Sequence, residues 1–440
     1  MNTLIVLLTL FFTGLLGFSV LHLLGIFGKG GLRERILFSF GVGVGIMMLQ
    51  MYFYSRAGIV WDPNNIVVPW GILYIAALLK HSISLPNSRI VVPKSRKVKA
   101  LFILVVLLGG FTLIESILRP LNAWDGYASW LFRSKMYFVE GSIDPSLVTY
   151  LPTEYPPLVS MMGTFLYTFL GQIDDRSILV TYAVFYISLG AIFYNSLKTK
   201  SGNFLAILFT FLLLSTQNLI RHSGRFEAGQ ADVILGYYIF LSFLLFIRVL
   251  KDISSKNLLI LHFMLLISAL IKNDSVPLVL ITEFVVLVVT IFRFGFKKVL
   301  LSLVFFVPFL DWQYFKHLEG VPSSPEYIST IVHPERIPVV LKEFTKELVN
   351  IKNWNLLWIA FVLSMILVTF RKLNTEVFIA FAIIIIDIIV LASVFFVTTP
   401  NPSEHIPNVL NRALLHIAPV GVYAICMCSA LLKLKLIHEK

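Results

Sequence analysis

Charged residues are scarce in this sequence. Only 14% of its 440 residues are Asp, Glu, Lys or Arg, against about 25% in an average soluble domain. Hydrophobic residues make up 58%, and the mean hydropathy is +0.86. Such a chain cannot cover itself with a polar surface, so the composition excludes a soluble globular protein and predicts one that faces lipid.

Cysteines and the common motifs of soluble enzymes are also missing or nearly so. The two cysteines, Cys426 and Cys428, lie together in the last apolar run, which excludes a disulfide scaffold and a cysteine-rich metal site. No Walker A, Rossmann glycine or Gly-x-Ser-x-Gly pattern occurs in the sequence, so these motifs point to no reaction class. The informative features are the apolar runs and the polar loops between them.

Apolar runs repeatedly approach the ~20 residues that a helix needs to cross the hydrocarbon core. Helices are the expected spanning form, because backbone groups in lipid must be satisfied within the segment. The first run has no basic region before it and no small-residue cleavage site after it, so we expect a retained span and not a signal peptide. The sequence predicts an all-α polytopic membrane protein with about 13 transmembrane helices, at residues 4–27, 36–54, 66–79, 101–117, 178–197, 204–220, 233–250, 258–271, 276–292, 299–310, 356–370, 377–397 and 413–432.

Lysines and arginines concentrate in short loops between these runs, and the net charge is +12. The positive-inside rule makes these loops cytoplasmic, so we expect the N-terminus outside and the C-terminus inside. The basic residues then contact membrane lipid headgroups, and no nucleic-acid partner is expected. The most basic loop, which contains no acid, carries Lys80, Arg89, Lys94, Arg96, Lys97 and Lys99.

Residues 156–170 form an apolar segment that we expect to be partly embedded without crossing. Counting it as a span would move Lys198 and Lys200 to the outside and reverse every later loop. Long polar loops on a membrane scaffold are usually functional. With this topology the outer side collects residues 118–177, 221–231, 272–275, 311–353 and 398–412.

The segment 121–138 has the pattern of a helix that lies in the membrane interface. At helical spacing one face carries Asn122, Asp125, Ser129 and Arg133, and most aromatic residues gather on the other. Asp125 would then lie at the outer membrane surface, where a carboxylate can take a proton from a hydroxyl. The alternative is a carboxylate that only solvates or caps this helix, and the wheel alone favours that alternative.

Several short motifs follow one another along the chain. They are Ala123-Trp124-Asp125-Gly126 with Trp130 and Lys135, Glu154-Tyr155-Pro156-Pro157, Gly229-Gln230-Ala231-Asp232, Ala269-Leu270-Ile271-Lys272-Asn273-Asp274 and, more weakly, Arg412-Ala413-Leu414-Leu415-His416-Ile417-Ala418-Pro419. In this order they resemble the membrane glycosyltransferases of the GT-C fold, the group that contains protein O-mannosyltransferases and aminoarabinose transferases. The likeness is closest to bacterial and archaeal members of the glycosyltransferase family 39 type.

This resemblance implies a GT-C-like module at residues 100–440, preceded by additional transmembrane helices and a basic cytoplasmic loop at residues 1–99. It implies transfer of a sugar from a polyprenyl phosphate to a lipid, glycan or protein acceptor outside the membrane. Asp125 matches the family's catalytic aspartate and would act as the general base, with inversion at the sugar carbon. Two rival classes are a secondary transporter or flippase, which would show internal repeats, and a polysaccharide polymerase or ligase.

The same resemblance and outer placement nominate residues that bind donor or acceptor. Cations at the headgroup level suit a phosphate, although lipid contacts, snorkelling of Arg412 or neutralisation of Lys272 by Asp274 are the alternatives. No Asp-x-Asp pair occurs, so no metal is expected to be required, but carboxylates from separate loops can converge on Mg²⁺ or Mn²⁺. The binding candidates are Trp124, Arg133, Lys135, Glu154, Tyr155, Arg225, Glu227, Asp232, Lys272, Asp274, Arg412 and His416.

Overall fold

A computed structural model describes residues 1–28, 31–80, 95–143, 155–321, 331–369 and 374–438. The structure is 84% helical, with no strand in these ranges. Its α-helices are α1 (Asn2–Leu23), α2 (Leu32–Arg56), α3 (Pro63–Lys80), α4 (Arg96–Leu118), α5 (Leu131–Glu140), α6 (Leu158–Leu170), α7 (Asp175–Ile178), α8 (Val180–Leu214), α9 (Gln217–Gly224), α10 (Asp232–Lys251), α11 (Ser255–Ala269), α12 (Val276–Phe294), α13 (Leu303–Leu318), α14 (Ile337–Leu348), α15 (Ile351–Trp354), α16 (Leu357–Thr369), α17 (Thr375–Val394) and α18 (Pro402–His438).

Nine helical segments in the described ranges are long and apolar enough to cross a membrane. The prediction of an all-helical membrane protein is therefore confirmed, whereas the count of 13 spans is not. The difference has a physical origin in helix length and composition. The predicted runs in α11 and α16 form helices of 15 and 13 residues, and α3 begins with a polar turn at Asn64 and Asn65.

The remaining difference lies in α8, where two predicted runs fall within one helical segment. Gly202, with φ of 79° and ψ of 166°, interrupts the helix. The Tyr186 hydroxyl donates to the carbonyl of Leu214 at 2.6 Å, although 28 residues of straight helix would separate them by about 42 Å. The chain therefore folds back at Gly202, and α8 is a hairpin of two antiparallel arms.

Helix α6 covers the apolar segment that we expected not to cross. Its 13 residues extend over about 20 Å, less than the ~30 Å of the hydrocarbon core. Every residue from Leu158 to Thr168 is buried, and Ser160 Oγ donates to the carbonyl of Trp130 at 3.0 Å. This length and burial support an embedded segment that is packed inside the protein.

Three of the chain segments that we assigned to the cytoplasmic side meet around Glu376. Glu376, which is 5% exposed, bonds Lys200 at 2.5 Å and also bonds Lys251. Tyr423 donates to the same carboxylate at 2.6 Å. Asp232 lies at the opposite end of α10 from Lys251, and Arg412 bonds Asp232 there. This contact agrees with the charge pattern for these three segments, and the topology of the chain stays a prediction.

The predicted interfacial segment is helical, but its two faces differ from the prediction. Arg133 is fully buried, and its Nη1 donates to the carbonyl of Tyr155 at 2.8 Å. Trp130 is also buried, whereas Trp124 is 69% exposed. The cause is a π-helical turn over Gly126–Trp130. Its wider winding shifts the face on which every later side chain lies, so spacing of three and four residues does not predict the faces.

Candidate functional site

Asp232, at the first turn of α10, is the centre of a buried cluster of charges. Its side chain is fully buried, which is tolerated only when a carboxylate is paired and hydrogen-bonded. Lys272 Nζ and Arg412 Nε donate to it, each at 3.0 Å. His416 Nε2 lies 2.9 Å from Oδ1 and must carry a proton, because an ionised carboxylate can only accept. The amino end of α10 adds a favourable dipole.

The cluster extends from Asp232 in two directions. Arg412 Nη1 donates to Asp125 at 2.5 Å, and Lys272 Nζ lies 2.6 Å from Asp274. The Asp125 side chain is 37% exposed, against 0% for Asp232. The cluster therefore connects an accessible carboxylate with a buried one. We call it the charge network, and it consists of Asp125, Asp232, Lys272, Asp274, Arg412 and His416.

The protonation state of the network follows from burial and from neighbouring charges. Burial opposes the charged form of Lys272, but Asp232 and Asp274 outweigh it and raise the pKa of this amine above its usual range. His222 Nδ1 lies 3.7 Å from Asp232, and burial lowers the pKa of His222 to about 4. His222 is therefore neutral at pH 7. His222 was not among the residues predicted from the sequence, because no pattern in the sequence links it to Asp232.

Glycines bring the segments of the network together. A Cβ on Gly229 would lie 2.6 Å from Leu121 Cδ1, and a Cβ on Gly126 would lie 3.4 Å from the backbone of Gly229. Gly229 also has a φ of +104°, which L side chains rarely adopt. The turn before Asp232 is thus packed directly against the turn that carries Asp125. Both glycines belong to the motifs in the sequence. The close packing of the two turns explains why these positions hold glycine.

Two residues near the network are held by other partners. Arg225 Nε lies 3.2 Å from Glu115, and Glu227 accepts from Arg221 and Gln230, each at 2.7 Å. Arg225 and Glu227, which we predicted to bind donor or acceptor, therefore each form an ordinary ion pair within the protein. The structure therefore gives no separate indication that they contact a ligand.

The other predicted binding residues lie around the interfacial segment. Lys135 Nζ bonds Asp175 at 2.6 Å, and exposed Trp124 packs edge-on against Tyr127. Arg133 lies over the ring of Trp130 at 5.0 Å and, with its bond to Tyr155, braces the segment from inside. Glu154 lies outside the described residues. Of the residues predicted from the sequence, those in the charge network are the ones that the structure joins.

The network offers cations and hydrogen-bond donors more than metal ligands. Within the described residues, no group of three His, Cys, Asp or Glu side chains is arranged to hold a metal ion. Both oxygens of Asp232 already accept from Arg412, Lys272 or His416. The hydrogen-bond donors of the network therefore suit an anion that reaches Lys272 or Arg412. Binding of Mg²⁺ or Mn²⁺ stays a prediction.

An apolar cleft begins two turns from the network. It is narrow, with a cavity volume of about 20 Å³, and lies between α10, α11, α12 and α17. Its first residue on α10 is seven positions after Asp232, about 10 Å along the helix axis, and its last residue on α11 is four positions before Lys272. The cleft is lined by Ile239, Ser242, Phe243, Phe246, Leu265, Ser268, Leu278, Val279, Thr282 and Ile383.

Comparisons with known proteins give this chain no family assignment. No protein-family model, no curated protein and no solved structure matches it.

Proposed function

We propose that this protein is an integral membrane glycosyltransferase of the GT-C type. In this proposal it transfers a sugar from a polyprenyl-phosphate donor to an acceptor outside the cytoplasmic membrane, and Asp125 is the general base. The observation that carries the proposal is the charge network. It holds a partly exposed carboxylate 2.5 Å from an arginine that is itself anchored to a fully buried aspartate.

The network supports transfer because it combines the two functions that the reaction needs. Asp125 is the accessible carboxylate and can accept the proton of an acceptor hydroxyl. Arg412 and Lys272 are cations that can hold the phosphate leaving group. Burying charges in this way is costly, so a network of this size calls for a reason beyond stability.

The apolar cleft supports the lipid part of the donor. A polyprenyl phosphate has a charged head and an apolar chain, and the cleft lies about 10 Å from Asp232 along α10. Seven of its ten lining residues are aliphatic or aromatic. A donor with its phosphate at Lys272 and Arg412 would therefore have an apolar surface within reach of its first isoprene units.

The transporter alternative receives less support from the same observations. A secondary transporter is expected to carry its binding charges near the bilayer midplane, on broken helices. Here Asp232 is the first residue of α10, and Lys272 lies in the short connection between α11 and α12, whereas Arg412 and His416 lie within α18. Charged groups do lie deeper in the bundle, but His262 Nδ1 and Glu283 Oε1 are bonded to each other at 2.6 Å. This bond agrees with the interhelical role expected for a mid-span carboxylate.

The proposal is tested with purified protein and a panel of radiolabelled polyprenyl-phosphate sugars. The Asp125→Asn variant should lose sugar transfer by about 10²- to 10⁴-fold, the range for a general base, while it inserts into the membrane normally. Asp311→Asn is a matched control, because Asp311 is 31% exposed and paired with Arg56 at 3.4 Å. Transfer by Asp125→Asn at the rate of the control would exclude the carboxylate as the base. Failure of the wild-type protein to use any polyprenyl-phosphate sugar would exclude the function itself.

A further inference from the structure

Arg412 joins the accessible end of the charge network to its buried centre. Its Nη1 donates to Asp125 Oδ2 at 2.5 Å, and its Nε donates to Asp232 Oδ2 at 3.0 Å. The Arg412 side chain is 16% exposed, between the 37% of Asp125 and the 0% of Asp232. One guanidinium therefore bridges carboxylates from two segments that are far apart in the sequence.

The two bonds of this bridge differ in how easily they open. Asp232 keeps Lys272 at 3.0 Å and His416 at 2.9 Å if Arg412 moves away. Among the residues that the structure describes, Asp125 has Arg412 as its one bonded cation. Water can also reach the half-exposed carboxylate of Asp125 and replace the lost bond. The bond between Arg412 and Asp125 is therefore the one that opens at the lower cost.

The guanidinium has a further nitrogen available for an anion. In the described part of the chain, Nε and Nη1 of Arg412 have partners, whereas no group bonds Nη2. Nη1 and Nη2 together form a planar fork that matches two oxygens of a phosphate. A phosphate that binds this fork takes Nη1 from Asp125 and leaves Nε on Asp232. The bridge to Asp125 then opens while the anchor to Asp232 remains.

We propose that Arg412 is an anion-operated switch on Asp125. Without an anion, Arg412 holds one of the two oxygens of Asp125, Oδ2, in an ion pair. A phosphate group bound to the fork frees that oxygen. This proposal rests on the proposed function, in which the phosphate belongs to the polyprenyl donor.

The switch releases the base from its ion pair when the donor is present. In the transfer step the acceptor oxygen forms a bond to the sugar carbon, and the bond between that carbon and the phosphate oxygen breaks. The hydroxyl proton passes to the freed oxygen of Asp125. The phosphate leaves with the bonding electron pair, and the fork of Arg412 holds its charge.

Chemical labelling of carboxylates tests the switch in the full-length protein in lipid nanodiscs. A carbodiimide with glycine ethyl ester modifies accessible carboxylates, and mass spectrometry measures the rate at each position. Farnesyl phosphate is the probe, and farnesol, which lacks the phosphate, is its control. We expect a several-fold faster modification of Asp125 with farnesyl phosphate and no change with farnesol. Asp311, paired with Arg56 and 31% exposed, should respond to neither.

Two variants separate the cation from the planar fork. Arg412→Gln removes the cation, and Arg412→Lys keeps a cation but lacks the fork that binds two phosphate oxygens. In Arg412→Gln, Asp125 should be modified fast without farnesyl phosphate and should not respond to it. In Arg412→Lys, farnesyl phosphate should accelerate the modification of Asp125 less than it does in the wild-type protein. Slow modification of Asp125 in Arg412→Gln would overturn the proposal. So would an unchanged or slower rate in wild-type protein with farnesyl phosphate bound, a comparison that does not depend on how the variants fold.

The outcome for the switch is distinguishable from the outcome for the function. A protein that transfers sugar from a polyprenyl phosphate while Asp125 shows no response to farnesyl phosphate keeps the function and loses the switch. A protein that transfers no sugar while Asp125 responds as expected keeps the switch and loses the function.

Discussion

Replacing Lys272 by methionine tests how much the charge network stabilises the fold. Lys272 is 7% exposed and lies 3.0 Å from Asp232 and 2.6 Å from Asp274. Methionine retains an unbranched apolar stem and removes the charge. Three carboxylates then face one permanent cation in place of two. Loss of one partner from a buried pair costs about 3–5 kcal/mol, and because Arg412 still bonds Asp232 we expect about 3 kcal/mol.

Lys251→Met is the matched control for this substitution. Lys251 also bonds a carboxylate that is nearly buried, that of Glu376, but the lysine itself is 61% exposed. An exposed partner is worth about 0–1 kcal/mol, because water screens the pair and solvates the charges once they separate. The free energy of unfolding of both variants is measured by SDS titration in mixed micelles. The two values should differ by about 2 kcal/mol or more.

A double-mutant cycle identifies the cause of the loss. Asp274→Asn added to Lys272→Met removes one of the uncompensated carboxylates, so the double variant should be more stable than the sum of the two single losses predicts. Independent sites add within about 0.3–0.5 kcal/mol. The reasoning is refuted by additivity within that margin, or by a Lys272→Met loss no larger than that of Lys251→Met.

Two further predictions concern packing and pH. Gly229→Ala should destabilise the protein by about 1–3 kcal/mol, because φ is +104° and the added Cβ would lie 2.6 Å from Leu121. Gly171→Ala, with φ of +67° and open space around the Cβ, is the control in the same thermal unfolding assay, and equal losses would contradict the packing argument. Burial lowers the pKa of His222 from 6.5 to about 4, so between these pH values the folded protein binds fewer protons than the unfolded chain and stability falls as the pH is lowered. His222→Gln should lose this part of the pH dependence of unfolding, and an unchanged slope between pH 4 and 6.5 would show that His222 is not the group involved.

Local patterns in the sequence were sufficient to predict that the chain is a helical membrane protein. Apolar runs of about 20 residues predict membrane-spanning helices, because unpaired backbone groups and charges are unfavourable in lipid. The positions of the basic loops predict the topology, and two of their lysines, Lys200 and Lys251, both bond Glu376. The same patterns could not predict that α8 folds back at Gly202, because hydropathy measures composition along the chain and not the backbone angles of one residue.

In the candidate site, too, the sequence predicted the individual residues but not the contacts between them. Motifs in the sequence nominated Asp125, Asp232, Lys272 and Arg412 one by one, each with an ordinary alternative. Only the tertiary structure decided that they bond to one another, since Arg412 lies 180 residues from Asp232 and 287 from Asp125 along the chain. Burial removes water from these groups, so each charge must find its partner in a distant segment. That pairing is a property of the packed helices and is not present in any local stretch of sequence.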